Sequence, residues 1–213
     1  MKKIMFNDRY GLTQAVIEGR KTMTRRMISG YPLQPSDRIE EVNICPDGFV
    51  SIIANGGESL MEVKYHYKVG EIVAVAQSYN SFYDVTYNPV LFPAGAGWNN
   101  KMFVKAELMP HQIRITGIKC ERLQDISDAD CLKEGIFVNE YFGNCKKCHH
   151  YGFDGFFNGT EGWFARGWYN TPREAFAALI DKVSGRGTWE SNPWVVAYEL
   201  SLIHISEPTR LRC

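Results

Sequence analysis

Lys21 lies in the densest run of chemically capable residues in the chain, Gly19-Arg20-Lys21-Thr22-Met23-Thr24-Arg25-Arg26. Four cations and two hydroxyls share eight consecutive positions there. Crowded cations attract anionic or electron-rich ligands, and they lower the proton affinity of a lysine among them. Lys21 then becomes a usable base near neutral pH, with the hydroxyls of Thr22 and Thr24 within reach of it. The same run also reads as a basic, solvated helix end whose cations face the last carbonyls. On an ideal strand Lys21 and Thr24 would face opposite ways, so they converge only if Lys21 lies in a turn.

Three other groups of residues have the types for chemistry. Glu134 closes a short helix, where a carboxylate opposes the macrodipole; that mild penalty hints at a use beyond a solvated surface acid. Cys145-Lys146-Lys147-Cys148-His149-His150 matches a covalent haem motif, which goes with an export signal not seen in this sequence, and more readily offers three zinc ligands, Cys145, Cys148 and one histidine such as His149. A structural zinc site needs a fourth ligand, and only the distant Cys45 offers one, so a reduced thiol pair in a polar loop is the simpler expectation. No metal or cofactor is expected. Trp189, Trp194 and Tyr198 surround the last strand; such rings stack on bases or, more commonly, fill cores.

The elements that must position these residues follow from periodicity and punctuation. Ile4 to Phe6 reads as a short strand. Leu12, Ala15 and Val16 recur at helical spacing, with Gly19 as the stop. Strand character returns over Met23 to Ile28, and Glu41 to Ile53 reads as a hairpin turning at Pro46-Asp47-Gly48. Lys68-Val69-Gly70-Glu71 turns into a strand from Ile72 to Ala76, and residues 80–102 read as a loop. A strand around Ile113, Ile115 and Ile118 ends near Leu123, before a helix capped within Asp125-Ile126-Ser127-Asp128 and closed by Gly135. Thr171-Pro172-Arg173-Glu174 opens the clearest helix, with Phe176, Leu179, Ile180 and Val183 on its apolar stripe. That stripe is expected to share a core with Trp194 and Val196 of a final strand running from Val195 to Leu200. Many strands and few short helices, without a βαβ rhythm, imply an α+β fold built on a small barrel. The segment 138–170, rich in Gly and aromatics, is a long loop insertion whose rings argue against disorder.

With 213 residues, 45% hydrophobic and 23% charged, and zero formal net charge, the chain suits one domain with a full core. No global basicity advertises a nucleic-acid coat, so such binding would need a local patch. No apolar run is long enough for a signal peptide or a membrane span, which with scattered cysteines points to a cytoplasmic protein. The expected domain is 1–200. Residues 201–213 read as a translated adaptor with no packed role.

Several pieces together resemble the ASCH-domain family, a branch of the PUA-like superfamily, and in particular its phage and prophage members. They are the Gly19 to Arg26 run, the Val69-Gly70-Glu71 turn, Glu121-Arg122-Leu123-Gln124-Asp125-Ile126-Ser127 followed by Glu134-Gly135, and the closing Trp189-Glu190-Ser191-Asn192-Pro193-Trp194. The resemblance implies a small PUA-like β-barrel with peripheral helices, binding RNA or a modified nucleoside. One small bacterial branch hydrolyses the acetyl amide of N(4)-acetylcytidine, and its catalytic lysine, threonine and glutamate fall on Lys21, Thr24 and Glu134. Arg20, Thr22, Arg25 and Arg26 would then bind the substrate. Phage relatives usually carry Arg-Glu where this chain has Ala76-Gln77. The rival expectation is a non-catalytic RNA-binding regulatory module that uses Arg20, Arg25 and Arg26 on phosphates.

Overall fold

The computed structural model describes residues 1–28, 39–45, 49–54, 56, 59–83, 95–139, 150–154 and 168–203. Its centre is a five-stranded sheet formed by β1 (Lys2–Ile4), β2 (Met23–Met27), β6 (Ile72–Val75), β7 (Gln112–Arg122) and β10 (Trp194–Ile203). The spatial order is β1-β6-β7-β10-β2, with only the β1–β6 pair parallel. The three strands β3 (Ile39–Ile44), β4 (Phe49–Ala54) and β5 (Ser59–Lys64) form an antiparallel meander. The hairpin β8 (Phe137–Asn139) and β9 (His150–Gly152) runs from Phe137 into the segment 138–170, which therefore carries strand where a loop was expected.

The mixed α+β class holds, but the expected barrel does not form among the described residues. The five-stranded order ends at β1 and β2, and no ladder joins those edges. The first strand is also displaced from the expected position: Lys2–Ile4 pairs with β6, while Phe6 drops into the core at 5% exposure.

Helix α1 (Leu12–Ile17) buries Leu12, Ala15 and Val16. Past its end Gly19 takes φ +73°, a left-handed conformation that glycine adopts at no steric cost. The short helix α2 (Asp128–Lys133) starts where the Ser127 hydroxyl accepts the Asp130 N–H at 3.1 Å, so Ser127 is the capping residue of the Asp125–Asp128 run. Helix α3 (Pro172–Ser184) has Thr171 as its cap and Pro172 in the first turn, where a missing N–H costs nothing. A single turn, α4 (Thr188–Ser191), leads into β10.

The core joins Phe176 and Leu179 of α3 to Val195, Val196 and Tyr198 of β10 and to Ile113, Ile115 and Leu123. Ile180 packs against it partly buried, whereas Val183 is 39% exposed. The expected stripe therefore buries only its first two turns. Trp194 stays half-buried under the Arg122 guanidinium, which lies 4.8 Å from its ring centre. Trp189 packs edge-on against Phe176, and Tyr198 is buried, its hydroxyl accepting the His66 N–H at 3.1 Å.

Two further expectations need correction or fall outside the described residues. Strand β10 continues three residues beyond Leu200: Ser201, Leu202 and Ile203 pair with Arg114, Ile113 and Gln112, and Leu202 packs against the core. Those three residues are not an unpacked tail. The Pro46-Asp47-Gly48 turn, the cysteine motif with Cys145, Cys148 and His149, and residues 204–213 lie outside the described residues.

Candidate active site

The end of α1 and the start of β2 set Lys21. Its N–H donates to the Ala15 carbonyl at 2.9 Å, which folds the chain back over α1 before β2 begins at Met23. Lys21 therefore lies in the turn and escapes strand alternation. It lines the same cleft as Thr24, one residue inside the strand. The neighbouring Thr22 N–H bonds to the Lys133 carbonyl at 2.9 Å, tying this turn to the end of α2. Gly135, at φ +103°, follows directly; a Cβ there would meet Leu12 at 3.3 Å and Lys21 at 3.8 Å. A glycine at 135 thus lets the C-terminus of α2 approach Lys21 closely enough to place Glu134 against it.

The resulting contact is short and dry. The Lys21 ammonium donates to Glu134 Oε2 at 2.5 Å and to the Glu134 carbonyl at 2.8 Å, with both side chains at most 5% exposed. Lys21 thereby closes the helix end that an acid alone would destabilise. Arg25 holds the other carboxylate oxygen: its Nη1 donates to Glu134 Oε1 at 2.9 Å. Its Nε and Nη2 both reach Glu121 Oε1, at 2.9 and 2.6 Å. The network continues through Asp130, which lies 3.5 Å from Arg25, 2.8 Å from Lys119 and 3.1 Å from Lys133.

Burial is the main cause that pushes Lys21 below the ordinary lysine pKa. Glu134 opposes the shift, and Arg26 and Arg25 add to it. Arg20, expected to share in that effect, does not. It turns outward to Glu18 at 2.7 Å and Asp154 at 3.1 Å, with its side chain 39% exposed. Burial works to lower the Arg25 guanidinium, but Glu134 and Glu121 outweigh it and hold Arg25 above its usual value. For Asp130 burial works upward, yet bonds from Lys119 and Lys133 bring the carboxyl down to about 2.

Lys21, Thr24, Arg25, Arg26 and Glu134 all line one cleft of about 170 Å³. That is smaller than the roughly 300–1,000 Å³ of drug-sized pockets and suits a single ring. Its apolar wall comes from Phe6, Leu123, Phe176 and Leu179, and the half-exposed Met5, Met27 and Val183 form its rim. Thr24 is buried, and its hydroxyl makes no hydrogen bond among the described residues. Arg26 spans the rim, donating to the Met5 carbonyl at 2.6 Å. Thr22 and Arg20 do not line the cleft. Gln77, one of the two residues at which the chain departs from the pattern of the family it resembles, bonds His111 at 2.8 Å and lines a different hollow.

Sequence reasoning missed Glu121, Asp130, Lys119 and Lys133, which complete the charge network. Lys119 and Glu121 share one face of β7 at the two-residue strand period, the only trace of the network in the sequence. Among the described residues no three His, Cys, Asp or Glu side chains gather as a metal site, and no helix is long and apolar enough to cross a membrane. Comparison with protein-family models, characterised proteins and solved structures finds no match.

Proposed function

We propose that the cleft binds the base of a modified pyrimidine nucleoside and hydrolyses an acyl amide on it, N(4)-acetylcytidine being the type substrate. The domain would then be of the ASCH type within the PUA-like superfamily, with its barrel drawn open. The observation that carries this reading is the buried Lys21–Glu134 pair, which lines one cleft with Thr24, a buried residue whose hydroxyl makes no hydrogen bond among the described residues. Lys21, as the neutral amine favoured by burial, takes a proton from Thr24 or from a water that Thr24 orients. The oxygen so freed attacks the acetyl carbonyl, and Arg25 or Arg26 steadies the oxyanion; where that oxygen belongs to Thr24, the acetyl group passes onto it and a second water, deprotonated by Lys21, cleaves the ester and releases acetate. Glu134, bonded to Lys21 at 2.5 Å, relays the proton that Lys21 has taken up to the departing exocyclic amine.

A phosphate clamp built on Arg20, Arg25 and Arg26 is less well supported, since carboxylates already match Arg20 and Arg25, and Arg26 alone meets none among the described residues. The test is hydrolysis of N(4)-acetylcytidine, followed by release of acetate. Lys21→Ala and Thr24→Ala should each abolish turnover, and Lys21→Arg should too, because a guanidinium keeps its proton. Wild-type protein that turns over no acetylated nucleoside would refute the reaction.

A further inference from the structure

Arg25 brings its donors to the dry end of the cleft, and two carboxylates divide them. Nε and Nη2 both reach Glu121 Oε1, at 2.9 and 2.6 Å, and Nη1 alone is left for Glu134 Oε1, at 2.9 Å. The Arg25 side chain is 1% exposed, so water competes little for these bonds. A guanidinium left to itself grips a carboxylate by two parallel N–H bonds, one to each oxygen. Both edges that can do so use Nη2, and here Nη2 is held by Glu121, with Asp130 3.5 Å away. Glu134 therefore accepts a single bond from Arg25, and its other oxygen is left to the Lys21 ammonium at 2.5 Å.

The charges give the same division. Lys21 and Arg25 are balanced by Glu134 and Glu121, so removal of Glu121 leaves one buried cation in excess. The charged groups facing Lys21 are Glu134 from the end of α2 and Arg25 and Arg26 from β2. Phe6 stands over the amine, its ring centre 5.9 Å away, and brings no charge. Arg25 is faced by Glu134 and Asp130 from α2, by Glu121 from β7, and by the uncharged Phe176 ring of α3. Glu121 is itself steadied by Lys119, two residues before it on the same face of β7, at 3.1 Å.

We infer that Glu121 is a positioning residue for the Lys21–Glu134 pair: by occupying Arg25 it keeps the guanidinium from taking both Glu134 oxygens, and so commits one of them to Lys21. Glu121 does not line the cleft and acts through Arg25. Its part in hydrolysis rests on the reading of the cleft given above, but the brace is tested without turnover. In Glu121→Gln the guanidinium turns onto Glu134, and Lys21 loses its counter-charge. NMR of protein carrying 15N-labelled lysine, with folding checked by circular dichroism, should show the Lys21 titration midpoint lowered by about 1–3 units, the effect of an opposite charge at contact. In assays on N(4)-acetylcytidine the acid limb of the pH–rate profile should move down with it, while kcat falls by up to about 100-fold and KM changes little. Lost packing alone would lower kcat at an unshifted profile. With Arg25→Met there is no guanidinium to restrain, so adding Glu121→Gln should leave the Lys21 midpoint in place. That second comparison carries the test where Glu121→Gln alone does not fold. An unmoved midpoint in folded Glu121→Gln would overturn the brace, and so would a full drop when Glu121→Gln is added to Arg25→Met. Wild type that hydrolyses the nucleoside, with a Lys21 midpoint that ignores Glu121, keeps the reaction and loses the brace. Wild type that hydrolyses nothing, with a midpoint that follows Glu121, keeps the brace and loses the reaction.

Discussion

Replacing Glu134 by Gln keeps the shape of the side chain and removes its charge, which leaves Lys21 to settle its own proton. Arg25 is not left stranded, since Glu121 still holds it at 2.6 Å. Lys21 has no second carboxylate partner among the described residues and is 3% exposed. A lysine and a carboxylate in contact bind one proton between them, the same number that the separated lysine binds near pH 7 in the unfolded chain. Folding therefore moves no net proton at this pair, and the pair adds no slope of stability against pH. In Glu134→Gln the buried amine must fold neutral, so one proton is released. With an unfolded lysine pKa of roughly 10.4, giving up that proton at pH 7 costs about 4.6 kcal/mol, an upper bound that any retained charge reduces. The expected loss is about 3–5 kcal/mol at pH 7, the range seen when one partner of a buried pair is removed. The sign follows from the same proton: the unfolded variant binds more, so its stability rises with pH by up to about 1.4 kcal/mol per unit until near pH 10. Denaturant melts of wild type and variant at pH 7, 8 and 9 measure both quantities. A deficit that stays constant across those pH values would refute the reasoning, as would a deficit below about 1 kcal/mol at pH 7.

Asp130 gives the complementary acid-side expectation. Its carboxyl is depressed from 3.8 to about 2, so its stabilisation is present above about pH 4 and is lost as pH falls towards 2. Because Lys119 and Lys133 are 42% and 48% exposed, solvent screens the pairs, and Asp130→Asn should flatten this part of an acid melt by only about 1–2 kcal/mol. Leu179→Ala should cost about 2–5 kcal/mol in denaturant melts. Val183→Ala, on the same stripe but exposed at the cleft rim, should cost under about 0.5 kcal/mol. A chain ended at Leu200 loses the ladder from Ser201 to Ile203 and the packing of Leu202, and should melt about 3–6 °C lower than one ended at Ile203.

Local signals made much of this fold legible. The Thr171-Pro172 start of α3, the Gly19 stop of α1 and the alternating β7 and β10 strands each declare themselves within a few residues. The parallel pairing of Lys2–Ile4 with β6 had no such signal, because it is a contact across about seventy positions with no turn to mark it. The hydrophobic stripe of α3 hid a different fact: period alone cannot say where the partner surface ends, and here it ends before Val183. In the cleft, Lys21, Thr24, Arg25 and Glu134 were legible as chemical types, and the turn before β2 explains how the first two meet. Glu121 and Asp130 were not, since an acid on a strand or in a first helical turn looks like ordinary solvated surface until the opposing arginine is seen.

Lys21 and Glu134 are 113 positions apart in the chain. Until α2 has docked onto the turn after α1, Lys21 is an ordinary solvated amine, fully charged and with nothing to share its proton. The perturbed amine consequently forms only when this long-range contact closes, a step that loop-closure entropy slows. Resistance of this single amine to acylating reagents, followed during refolding, would mark the moment at which the cleft comes into existence.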